Sequence, residues 1–209
     1  MVNAGVIFCT MNSLVSTIVR RLLVVLGVVP VAACGLVPKA PSRTHLVEKG
    51  PFQALYGPDG RLERVAYDRN GDRRAEIVTF FSPAGTALRA QIDSNDDGVV
   101  DRWEHYGPDG RIAKLGVARK TPGRPDTWSY PDGFGGVGRR EYDDDGDGRP
   151  ERSEDLLDGA VIAEEFDTDG DGRRDRRVVR GPEGEIARIE TDPDAQGRWQ
   201  RSVPVDRGP

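Results

Sequence analysis

Between Asp93 and Glu104 the chain sets oxygen-bearing side chains at alternate places: Asp93, Asn95, Asp97 and Asp101, with Gly98 sixth and Glu104 twelfth. Carboxylates and an amide oxygen at that spacing suit one task, wrapping a hard divalent cation. Calcium takes about six to eight oxygens at roughly 2.3–2.6 Å. A single loop can supply them from positions one, three and five, a backbone carbonyl at seven, position nine and a bidentate carboxylate at twelve, with glycine at six for the turn. The carbonyl at seven here is that of Val99. Magnesium suits such a loop less, since it prefers a tight octahedron and keeps its water.

The spacing recurs. Asp143, Asp145, Asp147, Gly148, the carbonyl of Arg149, Glu151 and Glu154 fill the same places. A third copy, Asp167, Asp169, Asp171, Gly172, the carbonyl of Arg173 and Asp175, carries Val178 at twelve. An earlier one, Asp68, Asn70, Asp72 and Glu76, has Arg73 where the turn glycine belongs. The last, Asp192, Asp194, Gln196, Gly197 and Gln200, has lost acidity at five and nine. The Asp68 and Asp192 copies rank as weak or vestigial. The complete loops resemble the calcium loop of the EF-hand superfamily, and the shortened third copy resembles the loops of dockerin and thrombospondin type 3 repeats. The resemblance implies Ca²⁺ as cofactor, two to four ions. Without helices to pre-organise the loops, affinity is expected at about 10⁻⁴–10⁻³ M.

The loops begin at 68, 93, 143, 167 and 192, so the period is 24–25 residues with one double interval. The skipped unit survives as Gly123-Arg124-Pro125-Asp126-Thr127-Trp128, which keeps the Gly, Asp and Trp of the unit before it but lacks the early acids. A fixed period of this length means one supersecondary unit stacked on its neighbours. Half a period out of step stand Pro58-Asp59-Gly60, Pro83-Ala84-Gly85, Pro108-Asp109-Gly110, Pro131-Asp132-Gly133, Leu157-Asp158-Gly159 and Pro182-Glu183-Gly184. Proline presets φ and glycine accepts φ > 0, so these read as turns. Segments between reversals are too short for the helices of an ordinary EF-hand. Several alternate as strands do: Leu88, Ala90 and Ile92; Ile77, Thr79 and Phe81 against Val78 and Phe80; Val65 with Tyr67.

The expected fold is therefore all-β: an antiparallel meander of about six hairpin repeats over 51–203, a twisted sheet or open β-solenoid with calcium loops at one set of turns. The alternative is a string of calcium-pinned loops with little regular sheet. With 36% hydrophobic residues and 26 glycines, the core must be thin. Trp103, Trp128, Trp199, Tyr67, Tyr106, Tyr130, Phe81 and Phe166 are the expected packed stripe.

Arg20-Arg21 precedes an apolar run, Leu22 to Ala33, that has the length of a secretory core and is short for a membrane span. It ends in Val31-Ala32-Ala33-Cys34, which resembles the lipobox of bacterial lipoproteins. The resemblance implies a signal peptide over 1–33, with Met11 an alternative start, and lipidation at Cys34. Residues 34–50 would be a flexible tether and 204–209 a frayed tail. The expected location is the bacterial cell envelope, held to the membrane by lipid. Gly35 after the cysteine implies the outer membrane if the host is Gram-negative.

The net charge is −5, and residues 1–33 hold two arginines and no acid, so a processed chain is more acidic still. Acidity without a basic stripe disfavours nucleic acid. After Cys34 there is no cysteine, and metal is the natural constraint in place of disulfides. His45 and His105 are the two histidines, and there is neither a Gly-x-Ser-x-Gly nor a zinc motif, so the chain does not read as an enzyme. A structural or interaction role is expected, with an envelope protein, glycan or cell-wall partner and no oligomeric state implied. The competing reading makes the Asp-Gly loops metal-free turns, and an envelope hydrolase stabilised by calcium is the remotest.

Overall fold

A computed structural model describes residues 43–205. The leader, Cys34, the tether up to residue 42 and residues 206–209 lie outside them. Fourteen strands follow one another without a helix: β1 (His45–Lys49), β2 (Phe52–Tyr56), β3 (Leu62–Tyr67), β4 (Ile77–Phe81), β5 (Ala87–Ile92), β6 (Arg102–Tyr106), β7 (Ile112–Val117), β8 (Thr127–Pro131), β9 (Val137–Tyr142), β10 (Arg152–Leu157), β11 (Ala160–Phe166), β12 (Arg176–Arg180), β13 (Ile186–Pro193) and β14 (Trp199–Pro204). They form one antiparallel meander in sequence order, not closed into a barrel. The expected all-β hairpin repeat is what the chain adopts. By contacts the described residues divide into two compact units, 43–113 and 114–205.

Each repeat has one short and one long reversal. Most short turns close as Gly57–Arg61 does: Gly57 N–H donates to the Arg61 carbonyl at 2.8 Å and Gly60 N–H to the Gly57 carbonyl at 2.9 Å. Gly60 sits at φ +78°, the left-handed position that lets a right-twisted hairpin close on a type I turn, and a register shift follows at Glu63, between the Leu55–Arg64 and Tyr56–Leu62 pairs. Asp158-Gly159 is different, a two-residue turn with both φ positive. The bulge corrects one strand reading. Phe80 pairs with Arg89 and Phe81 with Ala87, so Leu88 is squeezed out of the ladder and stands exposed.

Burial is lateral, because no helix or second sheet among the described residues covers this one. In the first unit a single cross-strand row, Ala54, Val65, Thr79, Ala90 and Glu104, is the most buried. Phe52, Tyr56, Leu62 and Phe81 pack over its apolar start. The expected aromatic stripe is thus displaced: those eight side chains are half-buried flanks, and small residues form the floor. A large ring in a sheet without an opposing layer has nothing to be buried against, whereas a small one is covered by its neighbours' stems. In the second unit the cover is charged. Arg139 reaches Asp155 at 2.8 Å and Glu165 at 3.3 Å, and Arg177 reaches Glu190 at 3.5 Å.

Two boundaries differ from the sequence reading. His45–Lys49, read as tether, forms edge strand β1: Leu46 pairs with Leu55, Val47 with Ala54, and His45 stacks on Tyr56 at 5.1 Å. No acidic loop announces this hairpin, since Gly50 at φ +57° and Pro51 turn it directly. At the other end, Pro204 pairs with Arg188 and Val205 N–H donates to the Ala187 carbonyl at 3.0 Å, so the strand runs into what was read as tail.

Glu104 is 1% exposed, bound by the Arg102 guanidinium and the Tyr106 hydroxyl on its own strand. Burial, with the Glu104 charge beside it, pushes the Tyr106 phenol far up, so it stays a donor. Glu104→Ala removes the buried carboxylate that Arg102 and Tyr106 both bind and is expected to cost about 3 kcal/mol, measured by urea unfolding.

Candidate metal loops

The long reversals are built from backbone N–H groups donating into acidic side chains at odd positions. Position one takes two. Asp68 accepts from Gly71 at 2.6 Å and Arg73 at 2.9 Å, Asp143 from Gly146 at 2.7 Å and Gly148 at 2.9 Å, and Asp167 from Gly170 and Gly172, both at 2.8 Å. Position three accepts from five and position five from seven, as Asp145 does from Asp147 at 2.9 Å and Asp147 from Arg149 at 2.7 Å. Position nine closes the loop back onto position two: Glu76 takes Arg69 N–H, Glu151 takes Asp144 N–H, and Asp175 takes Thr168 N–H at 2.9 Å. Partial desolvation works against the Asp167 carboxylate. The N–H groups of Gly172 and Gly170 outweigh it and hold the group below its ordinary range.

Three loops bring their acids together. Asp143, Asp145, Asp147 and Glu151 have carboxylate oxygens all within 4.8 Å of one another, as do Asp68, Asp72 and Glu76, and Asp167, Asp169 and Asp175. Asp171 is outside its group. The loop ranked weak for lacking its glycine is among the three because Arg73 adopts φ +73°, the conformation Gly98, Gly148 and Gly172 adopt elsewhere. The loop with the fullest set of ligand types is not. Asp93, Asp97 and Asp101 are not gathered in this way: Asp101 accepts from the Ser94 hydroxyl at 2.9 and 2.8 Å, as Asp175 does from Thr168 at 2.8 Å within a gathered loop, and Asn95 donates to Asp97 at 3.0 Å.

The glutamates expected at twelve lie apart from the gathered acids. Glu104 is held in the sheet, and Glu154 accepts from the Tyr142 hydroxyl at 2.8 Å and pairs with Arg152 at 2.6 Å. Both belong to strands that begin at once after position nine. A strand advances roughly 3.3 Å per residue, carrying position twelve about 10 Å off, whereas the first turn of a helix would curl it back.

A second requirement escaped the spacing argument. Position four also has positive φ, at Gly71, Asp96, Gly146 and Gly170, and glycine there in three loops was the available signal. Acids at even positions take cations from the loop before: Asp96 binds Arg69 and Asp144 binds Lys120 at 2.6 Å. The odd-numbered acids are left to the interior, and Asp143 additionally has Arg124 at 3.7 Å. The donor set is carboxylate with no sulfur or imidazole, which fits calcium and argues against zinc or copper.

The unit without early acids closes by another route. Asp126 is buried and accepts N–H groups of Arg119 at 2.9 Å, Lys120 at 2.5 Å and Thr121 at 3.3 Å. The Asp192 copy is not a long loop at all; Asp194 N–H bonds the Arg198 carbonyl at 2.9 Å in a short turn.

Burial pushes the Asp126 carboxyl up, but these N–H groups and the Thr127 hydroxyl outweigh it and hold it below the ordinary 3.8. A depressed carboxyl contributes stability in full above its unfolded pKa and loses it as pH falls through the folded one. Unfolding at stepped pH is expected to show that loss below about pH 3.8 in the native chain and a smaller one in Asp126→Asn. Separately, Arg73→Gly relieves a left-handed side-chain clash and should stabilise the chain by about 1 kcal/mol.

No protein-family model matches the chain, and no curated protein matches it. Among solved structures, two of TarM resemble part of it. The S. aureus TarM mutant in complex with fondaparinux, alpha-GlcNAc-glycerol and UDP does so with TM-score 0.39 and 12% identity over 48% of this chain. The other TarM structure gives 0.40 and 12% over 50%. The accessory secretory protein 1, 2 and 3 structure from Streptococcus pneumoniae gives 0.24 and 10% over 59%. The match spans 20% of each of those chains, and likeness at this level carries no functional argument.

Proposed function

We propose that this is a calcium-binding β-repeat protein of the bacterial cell envelope, anchored by lipid on Cys34 after removal of residues 1–33, with a structural or interaction role. The observation that carries the calcium reading is the convergence of Asp143, Asp145, Asp147 and Glu151 within 4.8 Å in one loop. Two unit charges about 4 Å apart repel by roughly 4 kcal/mol at an effective dielectric of 20. N–H donors soften that repulsion and a bound cation would cancel it. The same argument applies to Asp68, Asp72 and Glu76 and to Asp167, Asp169 and Asp175. The carbonyls of Arg149 and Arg173, by spacing, complete the oxygen sets. Calcium supplies charge and a fixed oxygen polyhedron; the residues supply closure of each hairpin at its long end. The anchor rests on the sequence Val31-Ala32-Ala33-Cys34, and Gly35 after it favours the outer membrane of a Gram-negative host. The partner is an envelope protein, glycan or cell wall.

A second reading has its own observation. Every loop is already closed by N–H donation, and the Asp126 unit closes with a single carboxylate, so the loops could serve as metal-free turns. Thermal melting in calcium and in chelator separates the two. With Kd at about 10⁻⁴–10⁻³ M, calcium at about 1 mM adds roughly 0.4–1.4 kcal/mol for each occupied site, a rise of a few degrees over three sites that Asp145→Asn with Asp147→Asn should reduce. Identical melting curves at millimolar calcium and in chelator would favour the metal-free reading.

A further inference from the structure

Where position seven of a loop is arginine, its side chain reaches forward onto the turn glycine of the next loop. Arg74 Nη1 lies 3.0 Å from where a Cβ on Gly98 would stand, Arg124 Nη2 3.1 Å from that on Gly148, and Arg149 Nη1 3.6 Å from that on Gly172. Arg124 also faces Asp143, the first acid of that next loop. Each such guanidinium, though exposed, thereby lies against the following repeat.

Arg173 holds the same place in its loop, but the next long reversal is cut short. The Asp194–Arg198 turn replaces it, Asp194 is taken by Arg198 at 2.7 Å, and Asp192 by Arg201 at 3.1 Å. Over Gly197, the glycine Arg173 would cover, there is open space. That space belongs to a pocket of about 580 Å³ lined by Arg173, Arg174, Glu165, Asp194, Pro193 and Trp199. Its size falls in the ~300–1,000 Å³ range of small-molecule sites.

The pocket's unmatched charge is positive. Glu165 is engaged by Arg139 and Arg177, and Asp194 by Arg198. Neither Arg173 nor Arg174 has a carboxylate partner among the described residues. Arg174 gives Nη1 to the Pro150 carbonyl, and its buried Nε has no acceptor. The planar guanidinium fork matches a carboxylate. Trp199 and Pro193 pair across the last hairpin and offer flat apolar wall beside it. We propose that this pocket binds a carboxylated sugar ring of the uronic-acid class, its carboxylate on Arg173 and Arg174 and its ring against Trp199.

The test tracks the Trp199 indole N–H signal of the full chain by NMR, assigned with Trp199→Phe, in chelator so that sugar-bound calcium plays no part. Glucuronate should move the signal saturably, while glucose leaves it in place and acetate acts at least tenfold more weakly. Arg173→Ala, an exposed loop change, should weaken glucuronate at least fivefold with unchanged melting. Arg174→Ala should weaken it further. No saturable shift, an equal response to acetate, or glucuronate binding indifferent to both substitutions would overturn the assignment.

Discussion

Each strand of this chain can bury its side chains only against the strands beside it. With no helix or second sheet among the described residues, apolar area cannot be gained across a core, and that constraint dictates composition. The most buried row is made of small side chains, Ala54, Val65, Thr79 and Ala90, because a small group is sealed by its neighbours' stems while a large one is not. Where larger groups occupy the row they are charged and paired in place, as Glu104 is by Arg102. In the second unit arginine and glutamate alternate across strands, and their aliphatic stems supply the cover that aromatic rings supply around Val65.

A sheet of this kind depends on its reversals more than a sandwich does, because register cannot be enforced by an opposing layer. The short turns hold register with a bulge and a positive-φ glycine. The long ones hold it with carboxylates that accept N–H groups inward at odd positions, while even-numbered acids face the cations of the preceding loop. This division leaves acidic oxygens converging at Asp143, Asp68 and Asp167. It makes calcium an addition to loops that are already closed, so metal would stiffen them without being needed to form them.

Much of this was legible in the residues. Period, turn chemistry and odd-position acids depend only on residue type and spacing, and they gave the meander and the gathered loops at Asp143 and Asp167. What depends on the next element was not legible. Position twelve could be read as a ligand only on the geometry of a following helix; a following strand carries Glu104 and Glu154 into the sheet. Asp101 stands apart from Asp93 and Asp97, a difference in loop shape that residue types and spacing do not carry. Arg73 shows that a non-glycine residue can take the positive φ of the turn glycine, which residue type alone does not announce. Strand β1 escaped because its hairpin has a Gly-Pro turn where the other repeats have an acidic loop.

The central claim is that the converging acids hold calcium, and the most direct measurement is a count of bound metal. Equilibrium dialysis of the chain against millimolar calcium, with metal content measured per mole of protein, should give about three ions, one for each gathered loop, in line with affinities of about 10⁻⁴–10⁻³ M. A content no higher than that of a control protein of equal net charge would contradict it.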